Sequence, residues 1–438
     1  MIKYIPNNYF IYLEKELNKI KSFKNLKFFY LSLIKKFKKL NLKYKFSTTV
    51  DLAYIDKQIR NINLKEKKSF FAIPIGVKDI FNTKFLKTEF GSALFKNFFP
   101  GNNSRVVDII EEKQGIIFCK TTTAEFAVHH FPEKKTLNPF NSNHITGTSS
   151  AGSAVAVACG ALPITLATQT AGSIIRPASF CGVIGFKPSF GALDRTGVLK
   201  TADTLDTVGL FACDINLLKK IFKNLIQCSN QYPYSKNFFK KKKNKKKFKI
   251  GIVTNVFEPY KLYEKTVRND FNTFCEKYLK NYKIIDSSIF GFINSIHKHH
   301  NNIYTKSLYY YFKSLSKRKN KISKIMMNMM NKGEKITKDQ YVESCYVQEI
   351  LCLKFEKIMQ NFDFLITPST GSVAPKLGNK EKIDTSLIWT FLNAPAISLP
   401  IFYDQKTRLP FGLQIVSSRY NDFSLLDFSN KIIKNLKK

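Results

Sequence analysis

Residues Gly147 to Gly191, GTSSAGSAVAVACGALPITLATQTAGSIIRPASFCGVIGFKPSFG, constrain this chain more than any other stretch. Gly, Ala, Ser and Thr dominate it and charge is scarce, while Lys, Asn, Phe, Ile and Tyr crowd the rest of the sequence. Small residues let a backbone pack closely on itself and bring bare amides near a ligand. Two serine-bearing turns, Gly147-Thr-Ser149-Ser150 and Thr170-Ala-Gly-Ser173, flank a pattern that reads as a helix over Ser150–Ala161 and a strand over Pro163–Thr168. That arrangement places two hydroxyls and several N–H groups around one point.

The surroundings alternate in the same way. Phe70–Val77 reads as a buried strand with Lys78-Asp79 at its carboxyl end, where open α/β sheets gather functional groups. Ser104–Glu112 reads as a helix with Ser104 at its N-cap, and Gly115–Lys120 as a buried strand. Apolar runs resume at Phe362–Pro368, Asn393–Ile401 and Pro410–Val416. The pattern predicts an α/β fold, a single large domain whose mixed, twisted sheet is covered by helices on both faces. Residues 1–68 have helical spacing through Tyr12, Leu13, Leu17 and Ile20, then Phe28, Leu31, Leu33 and Ile34. They are expected to form a helical segment packed on a domain spanning 69–438. A variable helical insertion is expected at about 216–360. It would include the Lys-rich run Lys240–Lys249, read as an exposed loop, a strand at Lys249–Thr254, and the Met-rich Ile325–Met330, read as core filling.

A net charge of +39 suggests nucleic acid, but the excess is nearly all Lys and is spread along the chain. It reads as a solvated basic surface, with no specific nucleic-acid site. The eight cysteines form no CxxC pair and sit in small or apolar contexts, as buried free thiols do. The longest apolar run, Ala154–Ala167, is broken by Gly160 and Pro163 and is too short to span a bilayer. The first residues hold no signal-peptide core, so a cytoplasmic protein without membrane contact is expected.

Several chemistries find no support. There is no GxxxxGK[ST] phosphate loop, and Ala151 breaks the GxSxG elbow at its last position. His297-Lys-His299-His300 reads as a solvated helical face rather than a metal site. No metal and no organic cofactor is expected. With no histidine assigned to a serine, the base would be another group. Lysine serves when burial lowers its pKa, and Lys78 is the best candidate for that role, although its local sequence alone favours a surface residue capping a strand end.

Gly147-Thr-Ser-Ser-Ala-Gly-Ser153, Thr170-Ala-Gly-Ser-Ile-Ile-Arg-Pro-Ala-Ser-Phe-Cys-Gly182 and Gly185-Phe-Lys-Pro188 resemble the signature region of the amidase signature family. Ile75-Gly-Val-Lys-Asp79, Lys120-Thr to Glu125-Phe126, Asn393–Pro400 and Leu409–Ile415 resemble that family's further motifs, so the likeness covers roughly residues 50–215 and 360–435. The resemblance implies amide hydrolysis through an acyl-serine. Ser173 would be the nucleophile, Ser149 a bridging serine after a cis peptide, and Lys78 the base. The N–H groups of Thr170, Ala171, Gly172 and Ser173 would form the oxyanion hole. The chain departs from the family pattern at Thr148, Ala151 and Ala171, which replace glycines, at Arg176, one place late, and at Gln169, where Asp is common in the family's tRNA-dependent members. The stretch Arg195–Gly209 looks closer to stand-alone amidases than to those members. The resemblance therefore implies an amidase acting on a small-molecule amide. The alternative is the A subunit of a glutamyl-tRNA(Gln) or aspartyl-tRNA(Asn) amidotransferase, working with B and C subunits and tRNA. A second alternative is an inactive scaffold.

Overall fold

The structure, a computed structural model, describes residue 2 and residues 9–128, 136–147, 149–227 and 248–437. The chain opens with helices α1 (Tyr9–Asn18) and α2 (Phe23–Tyr44). Along α2 the buried residues Leu26, Tyr30, Leu33 and Phe37 recur at three- and four-residue steps and form one apolar stripe. The helical expectation for this segment omits one element, the short strand β1 (Ser47–Thr49), ahead of α3 (Leu52–Arg60). Three polar residues show little apolar alternation. They pair as an edge strand because the backbone of β3 (Ile116–Thr121) offers them a partner.

Before β3 come β2 (Pro74–Lys78) and α4 (Arg105–Glu112), and after it α5 (Ala151–Ala158), β4 (Ile164–Gln169), α6 (Ile175–Phe180), β5 (Ile184–Lys187), β6 (Thr207–Ala212) and α7 (Ile215–Gln227). Beyond residue 248 follow β7 (Lys249–Ile252), α8 (Lys265–Tyr278), β8 (Lys283–Ile285), α9 (Ile296–Phe312), α10 (Lys324–Lys335) and α11 (Lys338–Ile358). The chain closes with β9 (Phe364–Pro368), α12 (Ser386–Phe391), β10 (Ala396–Asp404), β11 (Leu409–Val416) and α13 (Asp422–Leu436).

All eleven described strands share one mixed sheet, ordered β1-β3-β2-β4-β6-β5-β10-β11-β9-β7-β8. Parallel pairing at β3-β2-β4 and β9-β7-β8 flanks an antiparallel centre. Central strands β3, β4, β6, β9 and β11 are buried along their whole length, so they read as apolar runs rather than alternating ones. The mostly helical segment supplies β7, where a strand is expected at Lys249–Thr254, and also β8, which is not expected; both extend the sheet. In α10, Met326 and Met330 are buried, as core filling requires, and the Lys-rich run up to residue 247 lies outside the described residues.

Helix α5 lies deep against the sheet because its side chains are small. A methyl on Gly152 would collide with Thr122 and with the Phe46 carbonyl, so only glycine allows this approach to the end of β3. The described cysteines are free thiols: Cys119, Cys181, Cys213 and Cys352 are buried and Cys159, Cys275 and Cys345 half-buried, while Cys228 lies outside the described residues. Among the described residues no helix is long and apolar enough to cross a membrane.

Candidate active site

The register of β2 and β4 assembles the site. These strands run parallel with Val77 opposite Leu166, so their carboxyl ends finish side by side. Lys78 is the last residue of β2, and Thr168 lies near the end of β4. The Lys78 Nζ lies 2.9 Å from Ser149 Oγ, 2.9 Å from Ser150 Oγ and 3.1 Å from Thr168 Oγ1. Ser149 Oγ in turn donates to Ser173 Oγ at 2.9 Å. Lys78 is fully buried, and Ser149 and Ser173 retain 1% and 9% exposure. Burial without a contacting carboxylate pulls the Lys78 amine from 10.5 to about 7, and the more distant Asp206 offsets only part of that. At neutral pH a large fraction of this amine is uncharged. The surface-residue reading of Lys78 is therefore excluded.

Thr148 lies outside the described residues, and with it the peptide bond expected to be cis ahead of Ser149. Ser150 opens α5 but makes no capping bond, since its hydroxyl accepts from Lys78 and donates to the Thr168 carbonyl at 3.1 Å. Ala151 and Ala171 replace glycines at little cost, because neither has a positive φ.

The turn bearing Ser173 is held from several sides. Gln169 Oε1 accepts the N–H groups of Ile174 at 2.7 Å and Ile175 at 3.0 Å, and its Nε2 donates to Thr390 Oγ1 at 2.9 Å. An Asp at this position could accept both N–H groups but could not also donate to Thr390. Thr170 Oγ1 donates to the buried Asp206 at 2.6 Å, and Asp206 also accepts from Thr201 and from the Ala202 N–H. Arg176 pairs with Asp384 at 2.6 Å and Glu381 at 3.5 Å. Burial alone would weaken that guanidinium's charge, but the two carboxylates hold it charged.

Behind the lysine, Asp79 and Lys120 form a buried ion pair at 3.5 Å. Lys120 also donates to the Phe81 carbonyl and to Thr83 and Thr88. Burial pushes the carboxyl up and the amine down, and each partner restrains the other's shift.

One expectation is corrected. His300 is not part of a solvated face: it is 2% exposed, and its Nε2 lies 2.9 Å from the Thr170 carbonyl. The helical spacing of α9 turns Ile296, His300 and Ile303 inward together, while Lys298 faces solvent. Among the described residues no group of three or more His, Cys, Asp or Glu side chains is gathered to hold a metal ion.

A buried lysine bonded to one serine, which bonds a second, thus lies at the carboxyl ends of neighbouring strands in a mixed α/β sheet. The Amidase family model matches residues 31–426, and the chain belongs to that family, whose members act on amide carbon–nitrogen bonds. It is 28% identical over 430 residues to the A subunit of the glutamyl-tRNA(Gln) amidotransferase from Persephonella marina, covering 87% of this chain and 86% of that one. It is 29% identical over 427 residues to the protein of the same name from Clostridium botulinum, covering 85% and 86%. Among solved structures, one described as an amidase superposes with a TM-score of 0.84 at 22% identity, covering 97% and 99% of the two chains. The A subunit of the Thermotoga maritima glutamyl-tRNA(Gln) amidotransferase does so with a TM-score of 0.76 at 21% identity, covering 94% and 92%. These superpositions establish a shared fold.

Proposed function

We propose that the protein hydrolyses an amide of a small molecule through an acyl-serine on Ser173, releasing ammonia or an amine. The observation that carries this reading is the unbroken chain from Lys78 through Ser149 to Ser173, with 2.9 Å at each step. Neutral Lys78 accepts the Ser149 proton as Ser149 accepts the Ser173 proton, and the Ser173 oxygen attacks the amide carbonyl. The N–H groups of the Thr170–Ser173 turn receive the negative oxygen that results, each such donor being worth roughly 3 to 4 kcal/mol in comparable sites. The proton returns along the same chain to the departing nitrogen. Water then attacks the acyl carbonyl as its proton passes through Ser149 to Lys78, and that proton returns through Ser149 to Ser173 Oγ as the acyl–oxygen bond breaks and the acid leaves.

A second reading has its own support. Both curated relatives described above are A subunits of a glutamyl-tRNA(Gln) amidotransferase. On that reading the same chemistry acts on glutamine and passes ammonia to B and C subunits that modify charged tRNA. Release of ammonia or amine from a panel of primary and secondary amides that includes glutamine separates the two. The amidase reading expects release by the isolated chain. Release only after adding the partner subunits supports the second reading, and no release under either condition overturns both.

A further inference from the structure

The turn that carries Ser173 has its carbonyls occupied one after another. The Thr170 carbonyl accepts from His300 Nε2 at 2.9 Å, the Ala171 carbonyl from Thr390 Oγ1 at 2.8 Å, and the Gly172 carbonyl from the Arg176 N–H at 3.0 Å. In a planar trans peptide the C=O and the N–H of the same unit point to opposite sides. Tying the first two carbonyls to α9 and α12 therefore aims the N–H groups of Ala171 and Gly172 the other way. Neither N–H has a hydrogen-bond partner among the described residues. A carbonyl oxygen can only accept, so His300 carries its proton on Nε2, and burial keeps the ring neutral, with its pKa lowered to about 4.

We propose that His300 is a positioning residue for acyl transfer. Its Nε2–H fixes the Thr170–Ala171 peptide so that the Ala171 N–H meets the developing oxyanion, and Thr390 does the same for Gly172. The inference rests on the reading of Ser173 as nucleophile. It gives the long segment between β6 and β9 a part in the chemistry, because α9 reaches the nucleophile turn from outside the two signature stretches. A rigid hole matters because a donor already in place costs no reorganisation when charge develops.

The test is the second-order rate of labelling by a fluorophosphonate, whose phosphoryl oxygen uses the same hole. His300→Leu removes the donor, and the rate is expected to fall about tenfold or more. His300→Gln can put an amide N–H where Nε2 stood, and is expected to restore the rate to within about threefold of native. His300→Asn, one carbon shorter, is expected to behave like the leucine variant. Urea unfolding of all three checks that each is folded. A folded His300→Leu protein labelled at the native rate overturns the proposal, as does a glutamine variant no faster than the leucine one. Should the leucine variant fail to fold, the Gln and Asn pair decides by the same comparison. Ser173→Ala is run beside them. Its failure to label leaves the nucleophile reading standing, so that a failure of the His300 variants is then a failure of the positioning role alone. Native-rate labelling of Ser173→Ala overturns the reading beneath.

Discussion

Replacing Lys78 with methionine should make the protein more stable at neutral pH while abolishing its chemistry. The unfolded chain holds this lysine at 10.5 and the folded protein holds it at about 7, so between these values the unfolded state binds more protons. Stability contributed by this site therefore rises with pH across that window, and the burial penalty is fully expressed below about pH 7. A shift of about 3.5 units at about 1.4 kcal/mol each makes the penalty about 4 kcal/mol at pH 7, allowing for partial protonation there. Methionine has nearly the same length and no charge to desolvate. It loses the bonds to Ser149, Ser150 and Thr168, but Ser149 keeps Ser173 and Ser150 keeps the Thr168 carbonyl. That loss costs about 1 to 2 kcal/mol, leaving Lys78→Met ahead by about 2 to 3 kcal/mol at pH 7. The advantage should shrink by about 3 to 4 kcal/mol between pH 7 and pH 10. Urea unfolding of both proteins at pH 7, 8, 9 and 10 measures this. Only the difference between the curves is read, because Lys120 and Lys187 are also lowered by burial and titrate in both proteins. Parallel curves would mean that the Lys78 amine is charged in the folded state, and the reasoning would fail.

The same amine sets the activity profile: kcat/KM should rise with pH through a limb centred near 7, and a flat profile from pH 5 to 8 would contradict a neutral-lysine base. Gly172→Ala would place a methyl 2.5 Å from Ser386 Oγ and 3.0 Å from the Arg176 guanidinium. The turn must shift, and fluorophosphonate labelling should slow about tenfold or more while circular dichroism stays native. Gln169→Leu leaves the buried N–H groups of Ile174 and Ile175 without their acceptor, and urea unfolding should show a loss of about 2 to 4 kcal/mol.

Lys78, Ser149 and Ser173 were singled out by the resemblance to the family's motifs, the apolar run placed Lys78 at the carboxyl end of a strand, and the structure brings the three within hydrogen-bond reach. The strands β2, β3, β4, β7, β9, β10 and β11 were legible as apolar runs. Four strands escaped: β1 and β8 are only three residues long, β5 lies inside a stretch dense in Gly and small residues, and β6 follows a polar turn-rich run, so none stands out by period. The supports of the nucleophile turn escaped more completely. His300 and Thr390 lie 130 and 219 positions from the groups they bind, in segments that carry no motif. His300 sits among Lys and Asn, where a polar face was the natural expectation, and only the inward turn of α9 against the Thr170 carbonyl reveals its place. Asp206 lay in plain view within Thr201–Gly209, but nothing local told it apart from Asp203, which is exposed.

The central claim is that Ser173 is the atom acylated, with Lys78 drawing its proton through Ser149. Intact-mass analysis after fluorophosphonate treatment tests this most directly, in the native protein, Ser173→Ala and Lys78→Ala. The account predicts one adduct on the native protein mapping to Ser173, none on Ser173→Ala, and labelling slowed by about a hundredfold or more on Lys78→Ala. A Ser173→Ala protein that gains the same adduct at the native rate would contradict it.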